Sequence, residues 1–465
     1  MSGADDILLG RTEQGQNFFY SGEMHMASFA GTGGGKTTGS VIPNALRWGG
    51  SLIIIDPKAD TANLSCHYRA ETLDQDVFLL DPFQICDETL SEYRASYNPM
   101  DEIDASPTHF DPDAVSKAKR LASALVFKAE GDNRYFSNQA INFLKAVFLH
   151  VKTAPYFKGE THLLTVADQL SNIDKLIEAM MANVGAEDKP GDLSGIVARV
   201  GRQMKNKASR EKSSIVSVSQ EGLEILDNPM MAHALGHTKP GLDFSAMRTR
   251  PQTYYLILPF EYLEDYSRWL RLMVTNILGA FMAMPEARDE AGMKIPALFV
   301  LDEFANLGSE MDIITTAFSY VRSKNVRLHV LLQELSILQA LYKNTWEGIL
   351  ANCGLIEGFA INSLTTSEYL SKLSGTRLVE HENPTAGTSI SQQGLSISDS
   401  EGITLRDEPF MKPQDVRWQR RSTKFIFTTG RVQSDVLKPT YERVQQVPWF
   451  REESLIARVP EKYRP

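Results

Sequence analysis

The string Ala30-Gly31-Thr32-Gly33-Gly34-Gly35-Lys36-Thr37 fits G-x-x-x-x-G-K-[ST], with Ala30 in place of the first glycine. Glycines let backbone N–H groups close around phosphate oxygens, and a following helix N-terminus adds partial positive charge. Gly31, Thr32, Gly33, Gly34 and Gly35 would form the cradle, with Thr38 completing the set. Lys36 would reach the β- and γ-phosphates of ATP, and the Thr37 hydroxyl would ligate Mg²⁺. A second string, Leu298-Phe299-Val300-Leu301-Asp302-Glu303, ends an apolar run in two carboxylates. In a phosphate-loop hydrolase Asp302 holds Mg²⁺, and Glu303 activates water for attack on the γ-phosphate.

These residues need a scaffold. The strand-like MHMASF precedes the glycines and a helix over Thr37–Trp48 follows, the strand–loop–helix context the motif requires. Short apolar runs recur at Leu52–Ile55, Val77–Leu80, Tyr254–Leu258, Leu298–Leu301 and Leu328–Leu332, with a late strand at Lys424–Thr428. Runs without alternation suit strands covered on both faces, as in a parallel sheet flanked by helices. Helical patterns lie between them, at Met311–Arg322 and Ser336–Tyr342. From about Asp111 to Ala234 the periodicity is helical throughout, including Phe136–Val151 and Thr165–Val184. The 266 residues between Lys36 and Asp302 exceed what a few strand–helix units need. The fold class expected is α/β: a P-loop core over 1–105 and 241–465, carrying an inserted all-helical domain over 106–240. The uncharged segment Pro384–Ser398 reads as a mobile loop within 384–400.

The 465 residues carry 48 Lys and Arg against 58 Asp and Glu, a net charge of −10, which excludes a wholly basic nucleic-acid coat protein but not a local basic channel. Cys66, Cys86 and Cys353 are too far apart to suggest a disulfide framework or zinc site, so a reducing, cytoplasmic setting is expected. The longest uncharged apolar stretch, Leu272–Pro285, is 14 residues, short of the roughly 18–20 needed to cross a bilayer. It reads as a buried helix.

The ordered motifs resemble those of the type IV secretion coupling proteins. Asp302-Glu303-Phe304-Ala305-Asn306-Leu307-Gly308 is similar to a signature of that family, as are Ile55-Asp56-Pro57-Lys58, Tyr97-Asn98-Pro99-Met100, Gln333-Glu334-Leu335, and Met411-Lys412-Pro413. The resemblance implies a RecA-type P-loop ATPase core with an inserted all-helical domain, assembled as a hexameric ring around DNA that moves DNA or nucleoprotein into a secretion channel, with DNA-stimulated hydrolysis. It implies that Lys36, Thr37, Asp302 and Glu303 serve nucleotide and Mg²⁺, and that Gln333 senses the γ-phosphate. It also implies a neighbouring subunit's arginine at the phosphates, Arg322, with Arg327 as its rival. Asp56 and Lys58 read either as site residues or as a loop ion pair. Effector-protein export and a nucleotide-binding recruitment platform are the alternatives. Expected partners are relaxosome or secreted proteins and channel components, at the cytoplasmic face of the inner membrane. Members usually carry N-terminal membrane helices, so either a soluble form or a partner-supplied anchor is expected here. Arg199, Arg202, Lys205, Lys207, Arg210 and Lys212 form a basic run that suits either DNA phosphates or a solvated helix face. Arg417, Arg420, Arg421 and Lys424 invite the same two readings.

Overall fold

Strands form where β-branched, aromatic and leucine side chains run together and can be covered from both sides. The computed structural model describes residues 5–109, 111–129, 131–183, 194–283, 285–307, 311–391, 394–428 and 441–464. Its strands are β1 (Ile7–Arg11), β2 (Asn17–Tyr20), β3 (His25–Ala30), β4 (Ser51–Ile55), β5 (Asp76–Leu80), β6 (Gln252–Leu256) and β7 (Ala297–Leu301). They continue with β8 (Val326–Leu332), β9 (Cys353–Phe359), β10 (Thr376–Ser391), β11 (Gly394–Pro409), β12 (Thr423–Thr428) and β13 (Tyr441–Gln445). The main sheet runs β2-β1-β13-β12-β9-β3-β8-β7-β4-β6-β5. From β9 to β5 neighbouring strands are parallel, and from β9 out to β2 they are antiparallel.

Successive side chains of a strand point to opposite faces, so a sheet buried on both faces divides each strand between two cores. Phe29, Ile53, Phe299 and Val330 enter one cluster, while Met26, Leu52, Val300 and Leu331 enter the other. The first cluster continues into the helices that separate β5 from β6: Ala114–Leu125, Arg134–Thr153, Leu163–Leu170, Ile173–Ala182, Ser194–Lys205, Ser209–Glu221 and Pro229–Ala234. No strand interrupts them among the described residues. The run expected over Thr165–Val184 is two helices, because the chain turns at Ser171 and the Asn172 side chain accepts the Lys175 N–H to cap a second start; Val184 lies outside the described residues. The stretch from Leu272 lies in helix Leu263–Ala283 and is buried from Leu272 to Gly279 and at Phe281. Among the described residues no helix is long and apolar enough to cross a membrane.

The segment expected to be a mobile loop differs. β10 and β11 form a long antiparallel ribbon whose register runs from Thr376↔Pro409 to Ser391↔Gly394. Its sequence alternates around the tip (Ser-Ile-Ser, then Leu-Ser-Ile-Ser), a period-two pattern that a lack of charge obscures.

Candidate nucleotide site

The glycine string leaves the C-terminal end of β3 and turns into the helix that follows. Ala30 is the last residue of β3, paired with Phe359, and is not among the residues with left-handed backbone. Its departure from the glycine pattern therefore costs no strain. Gly33 and Gly35 do need glycine, at φ +70° and +87°. Gly31 needs it for space, since a Cβ there would sit 2.4 Å from the Ala360 carbonyl oxygen. After Lys36 the chain makes a wide turn over Thr37–Val41 before α-helical Ile42–Ala45.

Parallel strands bring the distant motifs to the same edge. β7 ends at Leu301, so Asp302 and Glu303 emerge beside the loop, and Gln333 emerges from the end of β8 between them. Lys36 Nζ donates to Glu303 Oε1 at 3.1 Å, and Thr37 Oγ1 donates to Asp302 Oδ2 at 3.4 Å. Gln333 Nε2 donates to Glu303 Oε2 at 3.3 Å. Glu303 holds this position with a left-handed backbone, φ +51°, which costs a non-glycine residue roughly 1–2 kcal/mol. Its own N–H donates to Asp302 Oδ1 at 3.0 Å, helping to fix the turn. Burial pushes the Asp302 carboxyl up to about 6, with the Lys36 ammonium opposing.

Thr32 to Thr38, Asp302, Glu303 and Gln333 line one cleft of about 620 Å³, within the range of small-molecule sites. Sequence reasoning missed Asp60 and Phe260 on its wall. Asp56 and Lys58 also line it, but not as an ion pair. The Asp56 carboxylate accepts the Ala62 N–H at 2.8 Å, and burial raises it to about 7; Lys58 Nζ lies over the Phe260 ring. Gly308 of the signature string lies outside the described residues.

Arg322 and Arg327 are not brought into this site. Both stand at the start of β8, and the strand's seven residues span about 20 Å before Gln333. Arg322 is exposed there. Arg327 is 5% exposed, its guanidinium lies over the Trp48 ring, and Nη1 donates to the Asp5 carbonyl at 2.7 Å. That burial removes it as a group offered to another subunit.

Lys424 is likewise not a surface cation. It is wholly buried behind the phosphate loop, where Nζ donates to Ser40 Oγ at 2.5 Å, the Gly39 carbonyl at 3.3 Å and Glu357 Oε2 at 3.3 Å. Glu357 Oε1 accepts Ser28 Oγ at 2.7 Å and Ser40 Oγ at 3.2 Å, and His329 Nε2 lies 2.6 Å from Ser28 Oγ. Burial lowers His329 to about 4, so it is neutral. The signal available in sequence was a lone Glu within CGLIEGF and a lone His within VRLHVLL, since a charge in a buried strand needs a partner. In the basic run, Arg199, Arg202, Lys205 and Arg210 are exposed, whereas Lys207 pairs with Glu211 and Lys212 with Asp174. Arg417, Arg420 and Arg421 are exposed.

The chain resembles known proteins over nearly its whole length. It is 25% identical over 445 residues to the conjugal transfer protein TraG of Agrobacterium fabrum, covering 95% of this chain and 62% of that protein. It is 26% identical over 418 residues to the type IV secretion system-coupling protein VirD4 of Bartonella henselae, covering 87% and 60%. The chain thus spans about three-fifths of the length of these curated relatives. Its fold matches the unbound bacterial conjugative coupling protein TrwBdeltaN70, with a TM-score of 0.66 at 13% identity over 94% of this chain and 89% of that one. It also matches the plasmid coupling protein TrwB in complex with ADP and Mg²⁺, with a TM-score of 0.64 at 14% identity over 95% and 89%. The family model for type IV secretory system conjugative DNA transfer matches residues 5–463, and the chain belongs to that family.

Proposed function

We propose that this chain binds and hydrolyses ATP with Mg²⁺, and that hydrolysis drives DNA or nucleoprotein into a type IV secretion channel. One observation carries the hydrolytic part: Lys36, Thr37, Asp302, Glu303 and Gln333, from three separate strands, meet within hydrogen-bond reach at one strand-end edge. The phosphate loop would hold the triphosphate through its N–H groups, with Lys36 turning from Glu303 to the β- and γ-phosphates. Glu303, thus released, would orient a water and take its proton as attack begins. Gln333, already bonded to Glu303, would sense whether the γ-phosphate is present. Thr37 and Asp302 would hold Mg²⁺, which needs only one or two protein oxygens beside phosphate and water, and which would neutralise charge on the transferring group.

Arg322 is too far from its own site to act there, and its exposure supports a role in a neighbour's site, within a head-to-tail ring of six. Relatives named for conjugal transfer favour DNA or nucleoprotein as cargo, with the helices between β5 and β6 as an inserted domain whose exposed arginines face the strand. That role suits a place at the cytoplasmic face of the inner membrane, beside the channel components.

The test is phosphate release with and without DNA. DNA should stimulate it, and Lys36→Ala and Glu303→Gln should abolish it; release unchanged in both variants would overturn the hydrolase. Bound nucleotide with no release by the wild type would instead support a recruitment platform. Arg322→Ala should lower turnover by about 10³-fold, and mixing it with Glu303→Gln subunits should restore part of it.

A further inference from the structure

The sheet order gives the triphosphate a direction. Glu303 and Gln333, which mark the γ-phosphate end, come from β7 and β8 on one side of β3. A nucleotide's base lies at the opposite end of its triphosphate, so it leaves the loop on the side of β9, β12 and β13. Two late segments stand there. Gln446 directly follows β13, and its Nε2 donates both to the Gly34 carbonyl at 3.0 Å and to the Arg421 carbonyl at 2.8 Å. Its Oε1 lies 2.8 Å from where a Cβ on Gly35 or Gly39 would be, so the amide rests directly on the loop. The Gln446 N–H donates to the Ser422 carbonyl at 2.7 Å, binding the same turn a second time. That turn carries Trp418, which at 77% exposure is the most exposed large apolar side chain among the described residues, with Arg417, Arg420 and Arg421 exposed around it.

We propose that Gln446 and the Trp418–Ser422 turn form the nucleoside subsite of the ATP site, in which the Trp418 indole stacks on the purine, the Gln446 amide oxygen accepts from the ribose and Arg421 meets the α-phosphate. An exposed indole costs water contact unless something covers it, and a flat purine with guanidinium groups at its edge is a fitting cover. The subsite rests on the ATP reading above and deepens it: the phosphate loop supplies affinity for any triphosphate, and this rim supplies affinity for the nucleoside.

The experiment compares two ligands on the full chain, ATP with Mg²⁺ and inorganic tripolyphosphate with Mg²⁺, by titration calorimetry. Trp418→Ala should weaken ATP about tenfold or more, as loss of base–aromatic stacking does, while tripolyphosphate binds as before; Gln446→Ala should weaken ATP more than tripolyphosphate, because its amide also holds the Gly34 carbonyl of the loop. Trp418→Phe should recover most of the ATP affinity. The proposal is overturned if either alanine variant binds ATP like the wild type, or if both ligands weaken equally. A wild type that binds neither ligand would overturn the hydrolase and the subsite with it; a wild type that binds tripolyphosphate as tightly as ATP would overturn the subsite alone.

Discussion

The Lys424–Glu357 pair should behave as a fully buried ion pair that is costly to break from one side only. Lys424 is 0% and Glu357 1% exposed, and their charged atoms are 3.3 Å apart. At an effective dielectric near 20 this separation corresponds to about 5 kcal/mol of attraction, in line with the roughly 3–5 kcal/mol lost when one partner of such a pair is removed. Lys424→Met leaves Glu357 with the Ser28 and Ser40 hydroxyls as donors, which places the loss near the lower end, about 3 kcal/mol. Glu357→Gln leaves the ammonium with Ser40, the Gly39 carbonyl and the Phe359 ring, a comparable loss. The double variant Lys424→Met with Glu357→Gln should lose at least about 2 kcal/mol less than the sum, because neither charge is then stranded. Equilibrium urea unfolding of the four proteins, read by tryptophan fluorescence, measures the cycle. Single variants that each lose under about 1 kcal/mol, or a double variant that simply adds, would refute the reasoning. Gly39 and Ser40 lie in the turn that opens at Thr37, so Lys424→Met should also raise the KM for ATP.

Glu303→Gln should keep ATP binding, because Lys36 and the loop remain, while turnover falls about 10²–10⁴-fold; equal loss of binding would contradict the role of Glu303 as base. Gly31→Ala should destabilise the fold by about 1–3 kcal/mol and weaken nucleotide binding, since its Cβ meets the Ala360 carbonyl; denaturation in the presence and absence of ATP measures both. His150 is buried, accepts Asn183 Nδ2 at Nδ1 and faces the Tyr156 hydroxyl with Nε2, and burial lowers it from 6.5 to about 4. A folded-state value below the unfolded one means that stability is present above pH 6.5 and is lost as pH falls towards 4. The wild type should therefore lose up to about 3 kcal/mol more than His150→Gln across that window, and identical acid profiles would contradict the assignment.

The hydrolytic residues were legible because their chemistry is local. A loop that closes on phosphate must have its glycines and Lys-Thr in consecutive positions, and a carboxylate at a strand end follows a visible apolar run. The six other strand-like runs were legible for the same reason, as was the helical stretch between β5 and β6. β9 was not, because Gly354, Glu357 and Gly358 interrupt its apolar pattern. Those glycines answer to distant packing: a Cβ at Gly358 would strike Leu370, and one at Gly354 would strike Met24. Lys424 read as a surface cation because only the antiparallel docking of β12 on β9 buries it. Arg327 was similarly ambiguous until Trp48 and Asp5 came to it from near the start of the sequence. For Lys424 and Arg327 the deciding neighbours, Glu357 and Trp48, lie 67 and 279 residues away, beyond any periodicity.

The position of β3 at the middle of the sheet also sets a timetable for synthesis. β3 pairs with β8 and β9, and its Ser28 meets His329 across 301 residues of chain. At roughly 5–20 residues per second, a ribosome needs about 15–60 s to make that interval. Throughout that time His25–Ala30 has two unsatisfied edges and the phosphate loop has no floor, while the helices that follow β5 can already fold upon themselves. Nascent chains stalled before Phe359 should therefore be the species that chaperones hold, and the capacity to bind nucleotide should arrive abruptly, once β9 has been made.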